Sequence, residues 1–119
     1  MKITDAFLGE HGALYAWFDV VTETLATGPG AGVVASTAER MAEVLGSHAR
    51  LENELLLDPV AAEGGEEGPL AVMRREHDEI EELLEEARDP DDPVRAADLL
   101  REAVVVAREH FEKEERAAF

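Results

Sequence analysis

Residues 93–119 read PVRAADLLREAVVVAREHFEKEERAAF, and this stretch predicts a long helix with an unusual inward face. Pro93 follows Asp92, and proline suits the first position of a helix. Positions spaced alternately three and four apart share one face of a helix. Here these positions are Leu100, Ala103, Ala107, His110, Glu114 and Ala117. The apolar face therefore passes into a histidine and a glutamate that lie one turn apart.

Three earlier segments show the same periodicity. Stretches rich in Gly, Pro and Asp, which interrupt helices, separate the four segments at residues 27–30, 58–69 and 89–93. The predicted inward positions are Phe7, His11, Leu14, Phe18, Val21 and Leu25 in the first helix, Met41, Leu45, His48, Glu52 and Leu55 in the second, and Leu70, Met73, His77, Ile80, Glu81 and Leu84 in the third. The short connections and the absence of strand patterns predict an all-α fold, an antiparallel up-down-up-down four-helix bundle that forms one domain over residues 1–119.

The composition narrows the classes of function. Hydrophobic residues make up 45% of the chain and charged residues 33%, which is typical of a globular protein. The formal net charge is -17, so nucleic acid and anionic membranes are not expected as partners. Cysteine is absent, which excludes Fe–S clusters and thiolate zinc sites. Without a signal-peptide pattern or an apolar run of about 20 residues, the sequence predicts a cytoplasmic protein.

The four histidines carry the functional signal, because each occupies the inward face of a different predicted helix. Three of them have a glutamate four residues later, which lies on the same face one turn away. The pairs are His48 with Glu52, His77 with Glu81, and His110 with Glu114. With a rise of about 1.5 Å per residue, an up-down-up-down bundle places all four imidazoles in one layer. Such a buried cluster is destabilising unless something satisfies it, and a pair of metal ions would do so.

The donor atoms narrow the choice of metal. Imidazole and carboxylate without thiolate suit Fe, Mn, Zn or Ni. The donors exceed the four ligands that one tetrahedral zinc ion takes, so the sequence predicts a bridged pair of ions. The candidate ligands are His11, His48, Glu52, His77, Glu81, His110 and Glu114.

Four short motifs carry a resemblance to a known family. They are Glu10-His11 in the first helix, His48-Ala49-Arg50-Leu51-Glu52 in the second, residues 76–81 (EHDEIE) in the third and residues 109–115 (EHFEKEE) in the fourth. In this order and spacing, over essentially the whole chain, they resemble the hemerythrin family, specifically its HHE cation-binding domains. The resemblance implies a di-iron centre with an oxo or hydroxo bridge, in which Zn or Mn can substitute.

The resemblance also implies a role for each ligand. His77 and His110 would bind one iron, His11 and His48 the other, and Glu52 and Glu114 would bridge the two. Some relatives use the position of Glu115 for the last carboxylate, and this alternative stays open here. The oxygen carriers of the family have a second histidine where this chain has Glu81.

A carboxylate at position 81 is a harder donor than imidazole and favours the ferric state. We therefore expect the protein to bind, sense or react with O2, NO or peroxide, or to bind iron for handling, rather than to transport oxygen reversibly. Two alternatives remain open at this stage. One is a di-iron oxidase or peroxide-consuming enzyme, and the other is a metal-free acidic interaction bundle. The oligomeric state is not predicted.

Residues beside the candidate ligands are expected to be ordinary surface or packing residues. Glu10, Glu76 and Glu109 each precede a histidine, and position i−1 points away from the face of that histidine. These three carboxylates could orient histidines from outside the ligand set, but we expect them to be solvated. Tyr15 lies four residues after His11 and is expected to pack near the surface beside the site.

Overall fold

Four helices form the protein in a computed structural model that describes residues 3–57, 69–88 and 91–117. They are α1 (Ile3–Ala26), α2 (Ala31–Glu52), α3 (Pro69–Glu86) and α4 (Pro93–Ala117). The described ranges contain no strand, so the predicted all-α class is confirmed. Within these same ranges, no helix combines the length and the apolar character that crossing a membrane requires.

The turns between helices form for local reasons. Gly28, just after α1, adopts a positive φ of 68°, which glycine tolerates because it has no Cβ atom. Pro93 is the first residue of α4, as predicted. The Asp92 carboxylate accepts a hydrogen bond from the backbone N–H of Arg95 at 3.0 Å and thereby caps the helix.

A π-helical turn, Asn53–Leu57, continues α2 beyond Glu52 and was not predicted. Its hydrogen bonds join residues five apart, so each turn takes more residues than an α-helical turn. A residue three positions after Glu52 therefore no longer lies on the inward face of the helix. The inward placement of Leu55 is wrong, since that side chain is 49% exposed. The predicted loop over residues 58–68 lies outside the described residues.

Contacts between the helices show their relative directions. Along α1, His11 contacts Glu115 and Leu25 contacts Arg101, so residue numbers increase along α1 in the direction in which they decrease along α4. Along α3, Glu76 contacts Lys113 and Glu86 contacts Arg95, which gives the same reversal. These two helix pairs are antiparallel and the four helices are consistent with a four-helix bundle. The complete up-down-up-down order stays a prediction.

The core follows the predicted inward faces closely. Apart from Leu55, Glu81 and the partly buried His77, the predicted positions that the structure describes are all buried. The side chains of Leu70 and Ala117 lie outside the described residues. Aromatic rings join the apolar core to the histidine layer: Phe111 stacks on Phe18 at 6.2 Å between ring centroids and on His11 at 4.2 Å. Packing of the core thus fixes the position of the imidazoles.

We expect Phe18→Ala to lower the free energy of unfolding by about 3 to 5 kcal/mol, because the fully buried ring would leave a cavity beneath Phe111. Urea unfolding measures the change. Val20→Ala, on the same helix but 57% exposed, should change stability by less than about 0.5 kcal/mol. Equal losses in the two variants would contradict the described burial of α1.

Candidate metal centre

The four histidines meet in one layer, and the Nε2 atom of each ring faces the centre of that layer. His11 Nε2 lies 3.1 Å from His48 Nε2. The rings of His77 and His110 lie 4.5 Å apart between centroids. All but His77 are buried, and the side chain of His77 is 10% exposed. The structure therefore brings together one histidine from each helix.

Glu52 and Glu114 lie between these imidazoles at full burial. Oε2 of Glu52 is 3.2 Å from His48 Nε2, whereas its Oε1 is 3.3 Å from His77 Nε2. Oε1 of Glu114 is 3.5 Å from His11 Nε2 and 3.4 Å from His110 Nε2. Each carboxylate thus contacts at least one histidine of the pair His11 and His48 and one of the pair His77 and His110.

The donor atoms form two overlapping groups that could each hold a metal ion, with all atoms of a group within 4.8 Å of one another. The first group comprises His11, His48, Glu52 and Glu114, and the second comprises Glu52, His77, His110 and Glu114. Both carboxylates belong to both groups. The arrangement follows from local sequence, because Glu52 and Glu114 each lie one helical turn after the histidine of the same helix.

Glu81 differs from the other six predicted ligands. Its side chain is exposed, and its carboxylate belongs to neither group. It lines a cavity that also reaches His77 and His110. Ligation by Glu81 stays a prediction, while the structure brings the remaining six residues together.

Three of the imidazoles also contact an outer set of carboxylates through Nδ1, the ring nitrogen that faces away from the centre of the layer. Nδ1 of His48 contacts Glu10 at 2.5 Å, and Nδ1 of His110 contacts Glu76 at 3.4 Å. The expectation of solvated surface is therefore wrong for Glu76, whose side chain is 14% exposed, whereas Glu10 is 41% exposed and contacts His48 as well. Position i−1 does point away from the histidine of the same helix, but it points towards the histidine of a neighbouring helix. Glu109, by contrast, is exposed as expected.

Glu115 completes this outer set. Its Oε1 lies 3.2 Å from Nδ1 of His11 and accepts a hydrogen bond from the hydroxyl of Tyr15 at 3.3 Å. Tyr15 is partly buried beside the layer. The structure thus places Glu114 between the imidazoles and Glu115 behind one of them. A carboxylate behind a ligating histidine fixes the orientation of the ring and raises its basicity as a ligand.

The two inner carboxyl groups, Glu52 and Glu114, have pKa values that are shifted in opposite directions. Burial opposes ionisation of both, but the imidazoles of His11, His48 and His77 outweigh it at Glu52 and hold the pKa of this carboxyl far below its usual range. Burial and the negative charge of Glu52 raise the pKa of Glu114 to about 9. In the metal-free pair, Glu52 therefore ionises far more readily than Glu114. Two like charges in such a site cannot both persist without a compensating cation.

The same layer contains most of the unsatisfied polar atoms in the described part of the chain. Among the residues that the structure describes, eight buried side-chain nitrogen and oxygen atoms form no hydrogen bond. Seven of these eight atoms belong to Glu52, His77, His110 and Glu114. An unsatisfied buried polar atom costs about 1 to 3 kcal/mol. These atoms are imidazole nitrogens and carboxylate oxygens, the ligands that first-row divalent metals accept. The residues present therefore fit a metal centre.

Comparison with known proteins agrees with this geometry. The sequence profile of the Hemerythrin HHE cation binding domain matches residues 2–119. The chain belongs to the hemerythrin family. A search of curated proteins and a search of solved structures return no significant match. Membership of the hemerythrin family makes the chain a metal-binding domain, and the two donor groups are its candidate centre.

The outer contact at Tyr15 gives a spectroscopic prediction, because this is the sole tyrosine of the chain. Burial, followed by the negative charge of Glu115, raises the pKa of Tyr15 to about 12. We expect Glu115→Gln to lower this pKa, measured by the ultraviolet absorbance of the phenolate in metal-free protein. Far-UV circular dichroism must show that the helices persist over the same pH range.

Glu112→Gln serves as the control for this titration. Glu112 also raises the pKa of Tyr15, but its effect is weaker than that of Glu115. Its replacement should therefore shift the phenolate titration less. An equal or larger shift in Glu112→Gln would contradict the contact between Tyr15 and Glu115.

Proposed function

We propose that this hemerythrin domain binds two iron ions through six residues. His11 and His48 would hold one ion, His77 and His110 the other, and the two carboxylates shared by both donor groups, Glu52 and Glu114, would bridge them. The observation that supports this most directly is the cluster of buried polar atoms without hydrogen bonds. Two dications would satisfy these atoms and would let both carboxylates stay ionised together.

The protein's own residues prepare the layer for this task. Glu10, Glu76 and Glu115 orient imidazoles through Nδ1 and leave Nε2 facing inward. Phe111 packs against His11 and His48 and excludes water from that side. Because its pKa is raised, Glu114 would bind a cation in competition with a proton, since carboxylate ligands are deprotonated.

We further propose that the centre binds, senses or reacts with O2, NO or peroxide. A bound pair of irons would supply redox chemistry and could bind such small ligands. The proposed ligand set has four imidazoles and two carboxylates, whereas the oxygen carriers of the family have a further imidazole at the position of Glu81, so carboxylates would form a larger share of the donors here. Anionic oxygen donors favour the ferric state, so reaction or sensing is expected rather than reversible transport.

An enzymatic role is the second candidate, and one feature favours it. A cavity of about 500 Å³ reaches His48, His77 and His110 from the surface. That volume is within the range of small-molecule sites and exceeds what a diatomic ligand needs. An oxidase or a peroxide-consuming enzyme would show turnover by the iron-loaded protein, whereas a sensor or an iron-handling protein would not.

Metal analysis of the purified protein, after anaerobic reconstitution with ferrous iron if needed, tests the proposed ligand set. We expect two irons per chain and, after oxidation, the near-ultraviolet absorption of bridged ferric ions. Glu114→Gln supplies the neutral form that burial favours, so the metal-free variant should unfold at the same or a higher urea concentration while it loses at least half of the iron. Glu112→Gln, an exposed position nearby, should keep both irons. Full iron content in Glu114→Gln would rule out the bridging role.

Reactivity is tested by mixing the diferrous protein with O2 in a stopped-flow spectrometer. We expect irreversible conversion to the ferric absorption spectrum, because the donor set favours that state. A long-lived adduct that releases O2 on dilution into anaerobic buffer would instead mean that the protein is an oxygen carrier.

A further inference from the structure

The cavity described above lies between α2 and α3. Its α2 wall carries Glu39, Glu43, Gly46 and Arg50, and its α3 wall carries Asp78, Glu81 and Glu85, with Arg88 in the turn just after the helix. The helical residues of both walls are spaced three or four apart, so each set forms one row along its helix. Five carboxylates and two guanidinium groups line these rows, which gives the rim a local excess of negative charge.

The inner end of the cavity carries imidazole nitrogens that face the two buried carboxylates, with Nε2 of His77 3.3 Å from Glu52 and Nε2 of His110 3.4 Å from Glu114. His77 and His110 line the cavity, and their side chains are 10% and 0% exposed. Both ring nitrogens of His77 and Nε2 of His110 form no hydrogen bond. The path therefore runs from an acidic rim to buried nitrogens that need a ligand.

Part of the α2 wall is formed by small residues. Ala42, Gly46 and Ala49 line it with the smallest side chains, one helical turn after another. A Cβ atom at Gly46 would meet nothing nearer than a nitrogen of the Arg50 side chain at 3.8 Å. A side chain introduced at Gly46 would therefore enter the open space of the cavity beside Arg50.

We infer that this cavity is the path by which divalent cations reach the metal centre, and that Glu81 and Glu85 capture them on the way. Glu85 and Glu81 lie two turns and one turn along α3 from His77, so the two carboxylates lead to the first imidazole. Carboxylate oxygens can replace water around an arriving ion before an imidazole does, and an acidic cleft raises the local cation concentration. Glu81 is then a transfer residue rather than a permanent ligand. This inference rests on the proposed metal-binding function.

The rate of metal uptake tests the path separately from the final binding. Metal-free protein is mixed with Co²⁺ at low ionic strength, and the visible absorption of the bound ion is followed in a stopped-flow spectrometer. The double variant Glu81→Gln with Glu85→Gln should take up Co²⁺ at least about fivefold more slowly, within the range of electrostatic effects on association. Its final Co²⁺ content should equal that of the wild type.

The matched control is Glu79→Gln with Glu82→Gln. These two residues are exposed on the same helix and do not line the cavity, yet their replacement changes the net charge by the same amount. Uptake by this control should stay within about twofold of the wild type, apart from the general effect of net charge. Equal slowing in the two double variants would overturn the path, since only overall charge would then matter.

Gly46→Leu tests the geometry without changing any charge. The added side chain should narrow the cavity and slow Co²⁺ uptake, whereas Gly9→Leu, on the exposed side of α1, should not. Unchanged uptake in Gly46→Leu would overturn the path. A lower final Co²⁺ content in Glu81→Gln would also overturn it, because Glu81 would then be a permanent ligand. If the wild-type protein bound neither Co²⁺ nor Fe²⁺, this result would contradict the proposed metal-binding function itself.

Discussion

Two carboxylates, Glu52 and Glu114, lie fully buried among four imidazoles, and the rest of the bundle is built around this arrangement. Both carboxylates cannot stay ionised there without a cation, and the pKa values move apart accordingly, downwards for Glu52 and up to about 9 for Glu114. A core made only for stability would place apolar residues at these positions, because a buried charged group without a partner is strongly destabilising. The layer is therefore best understood as a site for cations.

The remaining structure divides into a part that stabilises the fold and a part that positions the site. One end of the bundle is an apolar core that includes Leu25, Leu84 and Leu100, all at most 2% exposed. Phe18 and Phe111 connect this core to the imidazole of His11 by ring stacking. Outer carboxylates then fix the ring orientations from the far side of the layer. The helices thus bring the donor atoms together in one layer.

Much of the fold and of the site could be predicted from the sequence, because both depend on helical periodicity. A helix turns by a fixed angle per residue, so spacing alone placed His11, His48, His110 and both buried glutamates on inward faces. The π-helical turn after Glu52 could not be predicted, since it changes that angle locally and turns Leu55 outward. The outer contacts of Glu10 and Glu76 were a possibility that the sequence alone could not decide. Each carboxylate serves a histidine of another helix, and spacing within one helix carries no information about its neighbours.

The most direct test of the account is the dependence of folding stability on metal concentration. Urea unfolding of the metal-free protein is measured anaerobically at increasing concentrations of ferrous iron. If the layer is a cation site, the free energy of unfolding must rise with the logarithm of iron concentration, by about 2.7 kcal/mol at one hundred times the dissociation constant for each site. A free energy of unfolding that stays constant over the whole series would contradict the account and leave the histidine layer as packing alone.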